Sequence, residues 1–294
     1  MEPNLKGLKE LVADPEVAER VDRLGLRFNR YGIDPLGLSR EHLIYFFNFL
    51  RLFYRHYFRV QTRGAEHVPA YGRAMVVGNH SGGLPVDGGM VLASLFFDHE
   101  PPRLAHGMVE KFAFHLPFIS TWFSRVGQFT GLPDHAVGLL EAERVLMVFP
   151  EGARGTGKLY SDRYQLVDFG TGFLRLALRT RTPIVPFAFV GGEEALPTLF
   201  HFQPLAKLFG TPYWPVPPYL VPIPRPVQCD LCYGAPLTFQ GSGNEDDEWI
   251  AERVEEVKAA VTALIVDGRE QRRIRLGRQA TVTVAPPAAE GGDA

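Results

Sequence analysis

The sequence predicts an α/β fold: a single domain with a mixed, largely parallel sheet flanked by helices, preceded by an N-terminal amphipathic helical segment. Three observations predict it. Apolar runs of strand length, Ala74–Gly78, Val145–Phe149 and Pro183–Val190, alternate with helical stretches. The chain has 294 residues, 46% of them hydrophobic, enough to bury one substantial core. No internal repeat and no linker-like composition divides it.

Residues 1 to about 40 are polar and helix-prone, with a break at Asp34-Pro35. Glu41–Arg59 is dense in aromatic residues, and Arg51, Arg55 and Arg59 recur every four positions on one side of a helix. Such a helix either lies in a membrane interface, with its arginines on lipid phosphates, or packs on the core with snorkelling arginines. The stripe reads the same in both. After Gly64 the strand Ala74–Gly78 precedes a short apolar helix over Gly88–Phe97. A helix over Ala136–Arg144 leads to the strand Val145–Phe149, and one over Gly172–Arg179 leads to Pro183–Val190. Val227–Tyr233 alternates as a strand does, and Glu248–Val266 carries Ile250, Val254, Val257, Val261 and Leu264 on one face. From about residue 280 the chain is rich in Ala, Pro and Gly and reads as a disordered tail. The expected division is 1–60 helical, 61–270 the main domain, and 271–294 a basic and then disordered tail.

A net charge of −2 offers nucleic acid no general attraction, so no such partner is expected. Cys229 and Cys232, the two cysteines, cannot close a structural zinc site and sit in a strand-like run; no metal is expected. The first thirty residues lack the apolar core of a secretory signal. The longest stretch without Asp, Glu, Lys or Arg is Leu208–Pro224, and six of its seventeen residues are proline, which cannot sustain a spanning helix. The expected location is cytoplasmic and peripheral to a membrane, because that stretch and the aromatic helix both present apolar surface.

Two places can carry chemistry. Val76-Val77-Gly78-Asn79-His80-Ser81-Gly82-Gly83-Leu84-Pro85-Val86-Asp87-Gly88 ends an apolar run in Asn-His and arrives at an aspartate. An imidazole with an orienting carboxylate can take a proton from a hydroxyl near neutral pH. Gly78–Gly82 does not match the G-x-S-x-G elbow, so the hydroxyl His80 activates belongs to a substrate. Phe149-Pro150-Glu151-Gly152-Ala153-Arg154 follows a buried strand, where open α/β sheets place ligands. Arg154 offers a planar fork to anionic oxygens, while a strand-end salt bridge is the plainer alternative. Gly152–Leu159 nearly matches the phosphate-binding G-x-x-x-x-G-K-[ST] loop, but Leu159 stands where Ser or Thr is needed and no helical pattern follows.

Asn79-His80, Asp87, Phe149–Arg154 and Thr182–Pro186, in this order, resemble three blocks of the glycerolipid acyltransferase family, which includes the lysophosphatidate acyltransferases of the PlsC type. Asn-His-Ser-Gly-Gly-Leu-Pro-x-Asp-Gly, and the Pro-rich stretch Tyr213–Pro226 before Tyr233-Gly234-Ala235-Pro236, look most like its monoacylglycerol/diacylglycerol acyltransferase-like branch. The resemblance covers roughly residues 60–265. It implies the acyltransferase fold and transfer of a fatty acyl group from acyl-CoA or acyl carrier protein (acyl-ACP), as co-substrate, to a lipid hydroxyl, with no further cofactor. His80 would be the catalytic base and Asp87 its orienting carboxylate. Asn79, Glu151, Gly152 and Arg154 would bind substrate, and Pro183–Pro186 would support the pocket wall.

Two departures from the family pattern matter. Six residues separate His80 from Asp87 instead of four, and the extra ones include Gly82 and Gly83, whose conformational freedom lets the loop fold back. Pro133 stands where phosphatidate-forming members carry an arginine, in Gly127-Gln128-Phe129-Thr130-Gly131-Leu132-Pro133, which points to a neutral lipid alcohol or a lysolipid as acceptor rather than a glycerol phosphate. Glu110-Lys111 is either a substrate contact or a solvated pair. His56, His67, His99, His106, His115, His135 and His201 have no carboxylate at a motif spacing and read as packing or surface residues. A non-catalytic lipid-binding or membrane-tethering protein on the same fold is the alternative function.

Overall fold

The apolar runs occupy the middle of a seven-stranded sheet in a computed structural model that describes residues 14–109, 119–130 and 133–277. The tail beyond residue 277, Glu110, Lys111, His115, Gly131 and Leu132 lie outside the described residues. The strands are β1 (Gln61–Arg63), β2 (Ala74–Gly78), β3 (Ala105–Val109), β4 (Phe129–Thr130), β5 (Val145–Val148), β6 (Ile184–Val190), β7 (Phe200–His201), β8 (Pro215–Val216) and β9 (Asp230–Tyr233). The sheet runs β1-β9-β6-β2-β5-β3-β4, while β7 and β8 pair separately as an antiparallel ribbon. Every pairing in the large sheet is parallel except β6 with β9. The expected mixed, largely parallel sheet is what the chain forms.

Each residue of β2, β5 and β6 is buried, which is why these strands read as unbroken apolar runs rather than alternating ones. Helices α1 (Pro15–Asp22), α2 (Arg40–Arg51) and α3 (Val86–Phe97) cover one face. Helix α4 (Ile119–Arg125) leads toward β4. On the other face lie α5 (Pro133–Glu141) and, after the short α6 (Ala153–Thr156), α7 (Gly172–Thr180). Two more short helices, α8 (Gly192–Ala195) and α9 (Gln203–Phe209), follow β6, and α10 (Asp247–Arg275) completes the second face. Strand alternation divides the core accordingly. Val76 packs in the layer of Phe47 and Phe96, while Met75 and Val77 join Leu174 and Val257.

The aromatic segment is helical and packs on this core. Leu43, Ile44, Phe47 and Leu50 point inward from α2, and Phe47 stacks on Phe96 with ring centroids 3.7 Å apart. A π-helical turn, Leu52–Tyr57, continues it. Arg51 pairs with Asp14 at 2.5 Å and Arg55 with Asp98 at 2.6 Å, so these two arginines meet protein carboxylates. The same segment leaves Phe49 and Leu52 exposed.

Two differences from the sequence expectation have plain causes. Strand β3 is broken in pattern by His106 and Gly107, yet His106 is fully buried and donates from Nδ1 to the Gly127 carbonyl at 2.9 Å. Burial pushes that imidazole down to about 4. Helix α10 runs nine residues past Val266, to Arg275, and its last turns sit over the sheet because Arg272 and Arg275 reach Asp230 at 3.9 and 2.5 Å. On its inner face Ile265 is buried, with Leu264 partly so. Cys229 and Cys232 are free and buried, and burial pushes both thiols up, as suits inert core residues.

Candidate active site

Strands β2 and β5 are parallel neighbours in register, Val77 opposite Val148, so their C-terminal ends open side by side. The loop carrying His80 and the loop carrying Glu151 therefore meet at one sheet edge. Both glycines in the first loop are left-handed, Gly82 at φ +87° and Gly83 at φ +66°, and the chain folds back onto the start of α3. A side chain at either would also collide: a Cβ on Gly82 would sit 2.7 Å from the Gly192 carbonyl oxygen, and one on Gly83 2.9 Å from Leu196.

That fold-back closes the longer spacing between the histidine and the aspartate. Nδ1 of His80 lies 2.8 Å from Oδ2 of Asp87. The carboxylate also accepts from the amides of Ser81 at 2.7 Å and Gly88 at 2.8 Å, and it is fully buried in the first turn of α3, where negative charge is favoured. An ionised carboxylate only accepts, so the Nδ1 proton points to Asp87 and the lone pair sits on Nε2. Nε2 has no hydrogen-bond partner among the described residues. The imidazole stacks on Phe149 with centroids 4.1 Å apart and its side chain is 14% exposed, so it is held on one side and open on another.

Glu151 holds the loop from behind. Its Oε1 accepts the His80 amide at 2.8 Å, and its Oε2 accepts the Val167 amide at 2.9 Å and pairs with Lys158 Nζ at 3.1 Å. Neither Glu151 nor Lys158 is more than 5% exposed at the side chain. Lys158 also donates to the Gln165 carbonyl at 3.1 Å. A buried carboxylate needs such a partner. Lys158, the lysine of the near-match phosphate loop, is the counter-ion that sequence reasoning passed over; the signal available was a cation seven residues after a glutamate that directly follows a buried strand.

The remaining sequence candidates take distinct places. Asn79 donates to the Phe189 carbonyl at 3.0 Å and accepts the Phe189 amide at 2.8 Å, so its amide ties the end of β2 to β6. Gly152 takes φ +58°, ψ −151°, a backbone region open to glycine alone, and turns the chain into α6. Arg154 is exposed and donates to the Asp168 carbonyl at 2.9 Å. Pro183 immediately precedes β6, and Pro186 lies within it opposite Val77. Gly155, not singled out by its sequence, packs close against the histidine: a Cβ there would lie 2.8 Å from His80 Cβ and 2.7 Å from Glu151 Cβ. Glu193, next to the Gly192 that packs on Ser81, is buried, and burial pushes its carboxyl up to about 7 against the pull of Lys158.

A family model described as Acyltransferase matches residues 59–190, the stretch that holds His80, Asp87 and Glu151. That match takes in the candidate site and just under half of the chain. The chain is 38% identical over 212 residues to an uncharacterized protein of Mycobacterium leprae, covering 69% of this chain and 58% of that one. An uncharacterized protein of Mycobacterium tuberculosis strain H37Rv is 38% identical over 196 residues, 64% of this chain and 54% of its own. A Gallus gallus protein named DGAT1/2-independent enzyme synthesizing storage lipids is 26% identical over 207 residues, 70% and 58% of the two chains. The chain thus spans a little over half the length of these relatives. The crystal structure of the 1-acyl-sn-glycerophosphate acyltransferase PlsC from Thermotoga maritima shares the fold, with a TM-score of 0.50 at 17% identity over 88% of this chain and 93% of that one.

Proposed function

We propose that this chain is an O-acyltransferase that moves a fatty acyl group from an acyl thioester, acyl-CoA or acyl-ACP, to a hydroxyl of a glycerolipid or lysolipid at a membrane surface. The observation that carries the reading is the Asp87–His80 pair at the C-terminal ends of β2 and β5, with no partner for Nε2 among the described residues. In the proposed step the acceptor oxygen attacks the thioester carbonyl carbon as its proton passes to Nε2 of His80. The tetrahedral intermediate then expels the thiolate, which takes that proton back from the imidazolium. Asp87 stabilises the transient cation and keeps the ring in the tautomer that can accept. A thioester is activated enough for this sequence to proceed without an acyl-enzyme.

The acceptor in this reading is a neutral lipid alcohol or a lysolipid rather than a glycerol phosphate. Pro133 opens α5 at the place of the family's phosphate-linked arginine, and a missing guanidinium forgoes a charge-assisted hydrogen bond of about 1.5–3 kcal/mol. No helix among the described residues is long and apolar enough to cross a membrane, and the reading has the protein meet its lipid substrates peripherally.

The test is mass spectrometry of products after incubation with acyl-CoA or acyl-ACP and a panel of lipid alcohols. Wild type should acylate monoacylglycerol in preference to lysophosphatidate, and His80→Ala should be slower by at least about 10²-fold. Equal transfer by wild type and His80→Ala would remove the base from the mechanism. A strong lysophosphatidate preference would overturn the acceptor assignment.

A further inference from the structure

Between Glu194 and Asp230 the chain carries no carboxylate side chain and two cations, Lys207 and Arg225. This stretch leaves the large sheet after β6 and returns at β9, building β7, α9 and β8 on the way. Many of its large apolar residues face outward. Leu208 and Leu220 are 74% and 73% exposed, and Phe200, Phe209, Val221 and Ile223 are all more than half exposed. A soluble face rarely presents so many large apolar side chains in one excursion.

Both ends of the excursion are anchored. At one end the Tyr160 amide donates to the Thr198 carbonyl at 2.8 Å, His201 Nε2 donates to the Gly157 carbonyl at 2.8 Å, and the Tyr213 hydroxyl donates to Thr156. Thr156 and Gly157 belong to the turn whose Gly155 packs on His80. At the other end Tyr57 donates to the Pro224 carbonyl at 2.7 Å. Tyr57 is in ring contact with Phe53, and Phe53 with the exposed Phe49, at 5.6 and 4.9 Å. The excursion is therefore tied at one end to the turn beside His80 and at the other to the aromatic helical segment that exposes Phe49.

We propose that the excursion, residues 196–225, is the surface on which the protein rests on a lipid bilayer carrying anionic headgroups, with the His80 loop held at the water–lipid boundary by its tethers to Thr156 and Gly157. The inference rests on the lipid acyltransferase reading for its purpose, but the surface is defined independently of the chemistry. Absence of carboxylates removes repulsion from anionic lipid, and Lys207 and Arg225 supply attraction. The Arg51 and Arg55 stripe is not the docking element, because both are paired with carboxylates.

The experiment is flotation of the 294-residue protein with phosphatidylcholine vesicles, with and without phosphatidylglycerol, alongside acyl transfer to a short-chain, water-soluble alcohol acceptor. Wild type should float with the anionic vesicles, less so as salt rises. Leu208→Glu/Leu220→Glu should float at least about tenfold less, since each leucine forgoes burial worth about a factor of ten. It should keep wild-type transfer to the soluble acceptor, which also shows that it is folded. Arg51→Ser/Arg55→Ser should float as wild type does. Undiminished flotation of the leucine variant, or flotation lost in the arginine variant alone, would overturn the proposal. So would a wild-type dimer that the leucine variant converts to monomer, which assigns the face to a second copy of the chain. A protein that floats as expected but transfers no acyl group to any acceptor would leave the docking surface standing and remove the chemistry.

Discussion

The backbone amide of His80 donates a 2.8 Å hydrogen bond to Oε1 of Glu151, joining two loops 71 residues apart in the chain. Through it the glutamate fixes where the imidazole sits, and Lys158 in turn holds the glutamate.

Removing one member of that buried pair should hurt more than removing both charges. Lys158→Met leaves Glu151 ionised and buried without its cation, a loss of about 3–5 kcal/mol. Lys158→Met/Glu151→Gln keeps an oxygen able to accept from the His80 amide and should recover part of it. Urea unfolding of the two variants and wild type measures the difference; equal loss in both would mean that the charge on Glu151 is not what Lys158 serves.

Asp87→Asn retains the shape of the side chain but replaces one accepting oxygen with a donor that faces other donors. The ring is then free to adopt the tautomer with its proton on Nε2, which cannot accept. Transfer should fall by about 10²-fold or more. Steady-state rates on the acceptor that wild type prefers would show it, and near-wild-type turnover would demote Asp87 to a loop anchor.

Gly155 has a backbone that any residue can adopt, so substitution there is a test of space alone. In Gly155→Ala the new methyl must displace His80 or Glu151, at about 1–3 kcal/mol of stability. Misplacing the base by an ångström should lower kcat by about 10²-fold with KM little changed. A variant that is equally stable and equally active would show that the loop moves without consequence.

Glu193 should leave a pH signature in stability. Its carboxyl, at about 7 in the folded chain, is below that when unfolded, near 4.5. Between those values the folded state holds a proton that the unfolded state has released, so the contribution of Glu193 falls as pH rises from about 4.5 to 7 and stays low above. Glu193→Gln removes the loss, and its advantage over wild type should grow across that window to at most about 3 kcal/mol. His106 acts oppositely: held near 4 against an unfolded value of 6.5, it costs stability as pH falls from 6.5 to 4. Chemical unfolding at pH 5, 7 and 8 on both proteins separates the two effects. A pH-independent gap between them would place Glu193 in contact with water.

The centre of the sheet is legible in the residues alone, because strands buried on both faces must be apolar throughout, and Ala74–Gly78, Val145–Val148 and Ile184–Val190 are. So is the contact of His80 with Asp87, since a histidine and an aspartate on a glycine-containing loop need only a local fold-back to meet. Tertiary structure alone decided the rest. That Asn79 binds Phe189, that Glu151 serves the His80 amide, and that Lys158 answers Glu151 all depend on which strands lie side by side. The aromatic helix shows the same limit. Its arginine stripe has the same spacing whether it meets lipid phosphate or protein, and only the fold brings Asp14 and Asp98 within reach of Arg51 and Arg55. Periodicity states which side of an element is polar; it does not state what will stand opposite.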